Sequence, residues 1–142
     1  MIEITKISSQ NDMDDCFHIR TKVFVEEQNV PLDEEMDGHD KDADHYLLRL
    51  KGKATATARV RILGDVAKIE RVAVLKSERG LNIGRKLMEF IMADIQKNKT
   101  VTLMKLGAQV QVIPFYENLG FISHGDEFLD AGIKHRWMTC NI

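Results

Sequence analysis

A chain of 142 residues is long enough to bury one sizeable core, and 44% hydrophobic with 30% charged residues is the balance of an ordinary globular domain. A formal net charge of −2 excludes the basic surplus that nucleic acid or an anionic membrane would select as its main partner. No apolar run approaches the ~20 residues of a membrane span, and the opening MIEITKISSQNDMDD lacks the basic start and apolar run of a secretion signal, which reads as cytoplasmic.

IEITKI alternates as a short strand does. SSQND is rich in helix-capping residues, and Met13, Cys16, Phe17, Val23 and Phe24 then recur at helical spacing until Asn29 to Pro31 stops the helix. In the acidic LDEEMDGHDKDAD, Asp33, Glu35, Asp37, Gly38 and Asp44 nearly reproduce an EF-hand loop. Glutamate is too long for the third position, aspartate replaces the terminal bidentate glutamate, and an alternating HYLLRL follows where a helix is required. The segment therefore reads as a solvated acidic loop that attracts cationic substrates and holds no metal.

The long strand ATATARVRIL sets Ala54, Ala56, Ala58, Val60 and Ile62 on one face and Thr55, Thr57, Arg59 and Arg61 on the other. Gly64-Asp65 predicts a two-residue turn into VAKIERVAVL, which places Leu63 opposite Val66 and Arg59 opposite Glu70. Ile83, Leu87, Phe90 and Ile91 give the next helix its apolar stripe. VTLMKLGA reads as a buried strand, and VIPFYENLGF as a short helix opened by Pro114 and stopped by Gly120. FISHGDEF and KHRWMTC form a closing hairpin through LDAGI. Cys16 and Cys140, at opposite ends of the chain, make no metal-type pair and read as reduced core residues. The order of elements predicts a single α+β domain over 1–142 with a mixed sheet.

RVAVLKSERGLNIGRKLM runs from an apolar strand through two glycines and an asparagine into a helix. A helix start leaves backbone N–H groups unpaired, the helix dipole adds positive charge there, and glycine lets a ligand approach. Such a loop suits a phosphate or pyrophosphate. The P-loop pattern fails for want of Gly-Lys-Ser/Thr, and the dinucleotide pattern fails because the strand lies in a meander. A helix start with no ligand accounts for the loop equally well.

The same stretch resembles the acyl-coenzyme A pyrophosphate loop of the GNAT N-acetyltransferase superfamily, with Arg79, Ile83 and Gly84 in place and Asn82 where the family usually has glycine. Asparagine tolerates left-handed backbone, so the loop is expected to survive the change. PFYENLGF resembles the family's later helix, and FVEEQNVP with EFLDAGIKHRWM its ElaA-like branch, so the resemblance covers nearly the whole chain. It implies a GNAT-like, mostly antiparallel sheet flanked by about four helices, and transfer of an acetyl group from acetyl-CoA to a primary amine by direct attack in a ternary complex. It also implies a small-molecule or peptide acceptor, no nucleic acid, no membrane, and room for a homodimer. Tyr116 stands where relatives protonate the leaving sulfur, and Glu70 where they place a general base. Both have structural alternatives: a half-buried aromatic, and an ion-pair partner of Arg59. Val72, Ala73 and Val74 would meet the pantetheine arm, Arg79, Gly80, Leu81, Asn82, Ile83, Gly84 and Arg85 the pyrophosphate, and Gln109 would add a polar amide near the cofactor. Phe24, Glu27, Gln28 and His135 fall where relatives build the acceptor cleft, and His45 is a further candidate there. The competing reading is a non-catalytic acyl-CoA sensor or scaffold of the same fold, and a weaker one is a nucleotide-phosphate binder.

Overall fold

The computed structural model covers residues 1–142. Strand β1 (Ile2–Lys6) leads to helix α1 (Gln10–Arg20), capped by Ser9, whose hydroxyl accepts from the Asp12 amide. The helix continues in wider π-helical turns over Thr21–Glu27 and stops at Asn29, which adopts φ +59°. Helix α2 (Leu32–Glu35) is a single turn. Then follow β2 (Asp44–Leu50), β3 (Lys53–Leu63), β4 (Val66–Val74), α3 (Ile83–Gln96), β5 (Leu103–Gln109), α4 (Ile113–Glu117), β6 (Ile122–Asp130) and β7 (Ile133–Asn141). One seven-stranded sheet runs β1-β2-β3-β4-β5-β7-β6, antiparallel except where β4 meets β5. This is the α+β architecture expected, mostly antiparallel with four helices. No helix is long and apolar enough to cross a membrane.

The two-residue turn holds: Leu63 faces Val66, Arg59 faces Glu70, and Gly64 takes the φ of +67° that the turn demands. The main core lies between the sheet and α3, which buries Ile83, Leu87, Met88, Ile91 and Ile95. Each such side chain contributes roughly 1.5–3 kcal/mol relative to leaving it in water. Phe90, expected in that stripe, lies at its margin, 38% exposed and edge-on to Tyr46, while Met88 and Ile95 complete the buried face.

A second cluster (Cys16, Ile19, Val23, Leu47 and Ala73) seals α1 against the opposite face of β2–β4. Both faces of β3 are therefore buried, and Thr55, Thr57 and Arg59 are as enclosed as the alanines. Met13, Phe17 and Phe24 are only partly buried, and the π turns after Arg20 shift Phe24 out of the regular helical spacing. Cys140 is half-buried rather than a core residue, and both cysteines are free thiols.

A feature of β4 has no signal in the alternation of VAKIERVAV. Thr57 pairs with Ala73 but Arg59 with Glu70, so Arg71 and Val72 together oppose Ala58. Arg71 takes a left-handed φ of +55° at this bulge. Beyond it the faces exchange: Val72 and Val74 join the α3 core while Ala73 packs under α1.

Candidate active site

Strands β4 and β5 pair only over Val66–Lys68 with Leu103–Lys105 and then diverge. The gap opens into a cleft of about 800 Å³, and every residue expected at the site lines it except Leu81, which is 56% exposed outside, and the further candidate His45. From Ile69 onward β4 has no β5 partner, so a run of its backbone polar groups borders the cleft.

On the α3 side the loop ends in Gly80 at φ +87° and Asn82 at φ +60°. Asn82 thus adopts the left-handed geometry for which the family usually employs glycine. It is the N-cap of α3 without a side-chain cap bond, and the first helical bond runs from the Lys86 amide to the Asn82 carbonyl. The amides of Ile83, Gly84 and Arg85 precede that ladder and face the cleft end. Gly84 serves packing as well, since a Cβ there would meet the Phe115 ring at 3.4 Å and Val74 at 3.6 Å. Arg79 is already engaged: it donates to both carboxylate oxygens of Glu27 at 2.6 and 2.8 Å, and its Nε donates to the Val74 carbonyl at 3.0 Å.

Tyr116 projects from α4, held by edge-on contacts with Phe115 and Phe121. Burial pushes its phenol pKa well above the usual value, so the group stays a proton donor throughout the physiological range.

Glu70 lies across the cleft in a cage of cations. Its Oε1 accepts from Arg59 at 3.0 Å and from Arg61 at 2.7 Å; its Oε2 accepts from Arg61 at 3.1 Å and lies 3.5 Å from the Lys68 ammonium. Burial alone would raise its pKa, but Arg61, Arg59 and Lys68 outweigh burial and hold it below the usual carboxylate range. A carboxylate offers about four lone-pair sites; three accept arginine hydrogen bonds here, and Lys68 stands at ion-pair distance.

The acidic segment is largely exposed, as a solvated loop would be, but three of its carboxylates, Glu35, Asp37 and Asp40, are bound to arginines. Arg20, 1% exposed, donates to Glu35 at 2.9 and 3.1 Å and to Asp40 at 2.7 Å. Arg59, fully buried, bonds Asp37 at 2.8 and 2.9 Å and Asp40 at 3.0 Å, and Arg71 reaches the carbonyls of Glu34 and Glu35. Glu35, Asp37 and Asp40 are spent on arginines, because tertiary folding brings α1, β3 and the bulge beneath one segment. Asp44 lies in β2 and no group of acidic, His or Cys residues is arranged to hold a metal. His45 is buried under this segment, with Nε2 2.8 Å from the Asp40 carbonyl, and does not line the cleft.

On the far wall, amides link Gln111 to Gln109 at 2.8 Å and Gln109 to Gln28 at 2.9 Å, joining β5 to the end of the first helix. The His135 Nδ1 lies 2.7 Å from the Ile133 carbonyl, to which it donates. Phe128 stacks on His135 and, at 4.8 Å, on Trp137. Phe128, Trp137 and Lys68 line the cleft and were not anticipated. Trp137 shares the strand face of His135 by simple alternation, a signal legible in KHRWM, but Phe128 reaches it only through a register shift between His124 and Phe128.

The profile of the acetyltransferase (GNAT) domain family matches residues 8–142. YjcF of Bacillus subtilis, an uncharacterized N-acetyltransferase, is 36% identical over 134 residues, covering 92% of this chain and 93% of its own. The crystal structure of Escherichia coli ElaA superposes with a TM-score of 0.89 at 28% identity, over 99% of both chains. An acyl-CoA N-acyltransferase from Pseudomonas aeruginosa superposes with a TM-score of 0.85 at 26% identity, again over 99% of both. With a family profile spanning nearly the whole chain and relatives matched along their length, this protein belongs to the GNAT acetyltransferase family.

Proposed function

We propose that the protein transfers an acetyl group from acetyl-CoA to a primary amine by direct attack in a ternary complex. The observation that carries this reading is the divergence of β4 from β5, which sets an unpaired strand edge, the free amides opening α3 and the Tyr116 phenol around one cleft. The strand edge around Val72 and Val74 would meet the pantetheine amides. The amides of Ile83, Gly84 and Arg85, with the side chains of Arg79 and Arg85, would hold the pyrophosphate.

The amine nitrogen attacks the thioester carbon, the C–S bond breaks, and the departing sulfur gains a proton while the nitrogen loses one. Only about one lysine-like amine in 2,500 is neutral at pH 7, a cost of roughly 4.6 kcal/mol. Glu70 is poorly suited to remove that proton, because its oxygens are saturated and its pKa is depressed. Its part in this reading is to orient the acceptor, while neighbouring cations disfavour the ammonium form. Tyr116 donates a hydrogen bond to the sulfur as negative charge develops there.

The saturation of Glu70 also favours a second reading, an acyl-CoA sensor or scaffold without efficient transfer. Calorimetric titration with acetyl-CoA, against ATP and NAD, tests what both share: selective micromolar binding is expected, and its absence would remove both. Turnover on a broad amine panel then separates them. In Tyr116→Phe, acetyl-CoA affinity should hold while turnover falls by about 10²-fold or more; unchanged turnover would remove the phenol from the chemistry.

A further inference from the structure

Lys68 and Lys105 are direct register partners on β4 and β5, at the last rung before the strands part. Like charges set opposite one another on a strand pair oppose folding, and this pair stands where the strands part, with Lys68 in the cleft lining and Lys105 its strand neighbour just outside it. Both ammonium groups are drawn to one ring: Lys105 Nζ lies 4.5 Å and Lys68 Nζ 5.3 Å from the Trp137 centroid. Phe128 stacks on the same indole at 4.8 Å. The one carboxylate nearby is Glu70, 3.5 Å from Lys68 and already claimed by Arg59 and Arg61. Lys105 has no ion-pair partner. Arg61, Lys68 and Lys105 against Glu70 leave a local surplus of positive charge on a chain whose net charge is −2.

This surplus lies on the sheet face away from α3, where Trp137 and His135 line the cleft opposite the pyrophosphate loop. Within the acidic segment Glu35, Asp37 and Asp40 cannot offset it, since Arg20, Arg59 and Arg71 hold them.

We propose that Lys68 and Lys105 form an oxyanion subsite on the acceptor side of the cleft, so that the acceptor amine carries a carboxylate or a phosphate. The inference rests on the transferase reading for the word acceptor, but the subsite itself is a property of the lysine pair. It reverses the cationic acceptor that the acidic segment suggests in sequence. The same positive surroundings would also disfavour the protonated form of the bound amine, which Glu70 is badly placed to deprotonate.

The single tryptophan makes the subsite directly observable, because Trp137 is the ring both lysines approach. The intact protein is titrated with inorganic phosphate and, separately, with acetate at constant ionic strength, and Trp137 fluorescence is followed. A saturable response is expected, weakened about tenfold or more in Lys105→Gln, a residue outside the proposed cofactor contacts. Whichever anion saturates first distinguishes phosphate from carboxylate. Turnover with saturating acetyl-CoA is then compared within matched pairs, glycine against glycinamide and phosphoethanolamine against ethanolamine. The anionic member should have the lower KM, and Lys105→Gln should remove that advantage while leaving the KM for acetyl-CoA unchanged. No saturable response, or one that Lys105→Gln leaves intact, overturns the subsite. Equal KM values within both pairs overturn its role toward the acceptor. Failure of acetyl-CoA to bind by calorimetry would instead sink the transferase reading, while the fluorescence titration still decides the subsite.

Discussion

Arg59 ends among three carboxylates, whereas the amides that open α3 end on none. The first region lies beneath α1 and the acidic segment; the second borders the cleft. In the first, charges buried on folding had to be matched within the chain, because an unpaired ion in a low-dielectric site costs several kcal/mol. In the second, backbone donors are left where solvent or a ligand can reach them. Thus the densest charge in this sequence is structural, and the site lies where pairing stops. Arg79 belongs to both regions, since a residue expected at the pyrophosphate is bonded to Glu27 of the opposite wall.

The comparison can be broken most sharply at Arg59. In Arg59→Met the carboxylates Asp37, Asp40 and Glu70 lose their shared buried cation, and unfolding free energy should fall by about 3–5 kcal/mol with the urea m-value unchanged. A loss under about 1 kcal/mol would mean that the acidic segment is held by something else.

Next in size is the response to acid. Arg59 holds Asp37 below the usual carboxylate range; Arg20 and Arg59 outweigh the burial that would raise Asp40; and Glu70 is lowered against its burial by Arg61 and Arg59. Carboxyls depressed in the folded state stabilise it above the unfolded pKa of about 4, and that stability is lost as pH falls further. Urea midpoints should therefore begin to fall below about pH 6.5, where burial holds the His45 pKa down and unfolding takes up its proton, and drop more steeply below about pH 5, by about 1.4 kcal/mol per pH unit for each proton taken up on unfolding. Arg59→Met should show a shallower acid slope, which separates this network from general acid sensitivity.

The smallest effect concerns the shared residue. The Glu27–Arg79 pair is partly exposed, so Glu27→Gln should change stability by no more than about 1 kcal/mol. It frees the guanidinium, and acetyl-CoA should bind up to about fivefold more tightly by calorimetry. Weaker binding would show that Glu27 positions Arg79 for the ligand rather than competing with it.

Much of the fold was legible because its signals are local. Gly64-Asp65 fixed the β3–β4 register and with it the Arg59–Glu70 pair, Pro114 and Gly120 bounded α4, and the Arg79–Gly84 pattern located the loop. Asn82 takes the backbone geometry its substitution for glycine required. Three features escaped. The bulge at Arg71 leaves no mark on an apolar alternation, yet it puts Val72 and Val74 on the face that Ala67 and Ile69 hold before it, and Ala73 on the other. The acidic segment looked solvated because the arginines that bind it lie well apart along the chain, in α1, β3 and β4. Phe128 depended on a register shift in the closing hairpin.

The sequence by itself determined the order of elements and their turns, since side-chain periodicity and backbone preference act over a few neighbours, while the residues expected at the cleft came from the family resemblance. Only the tertiary structure decided how the charges are shared. Electrostatic partners are chosen by distance in space and by burial, so it took the folded sheet to pair the acidic segment with arginine and leave Lys105 without a carboxylate.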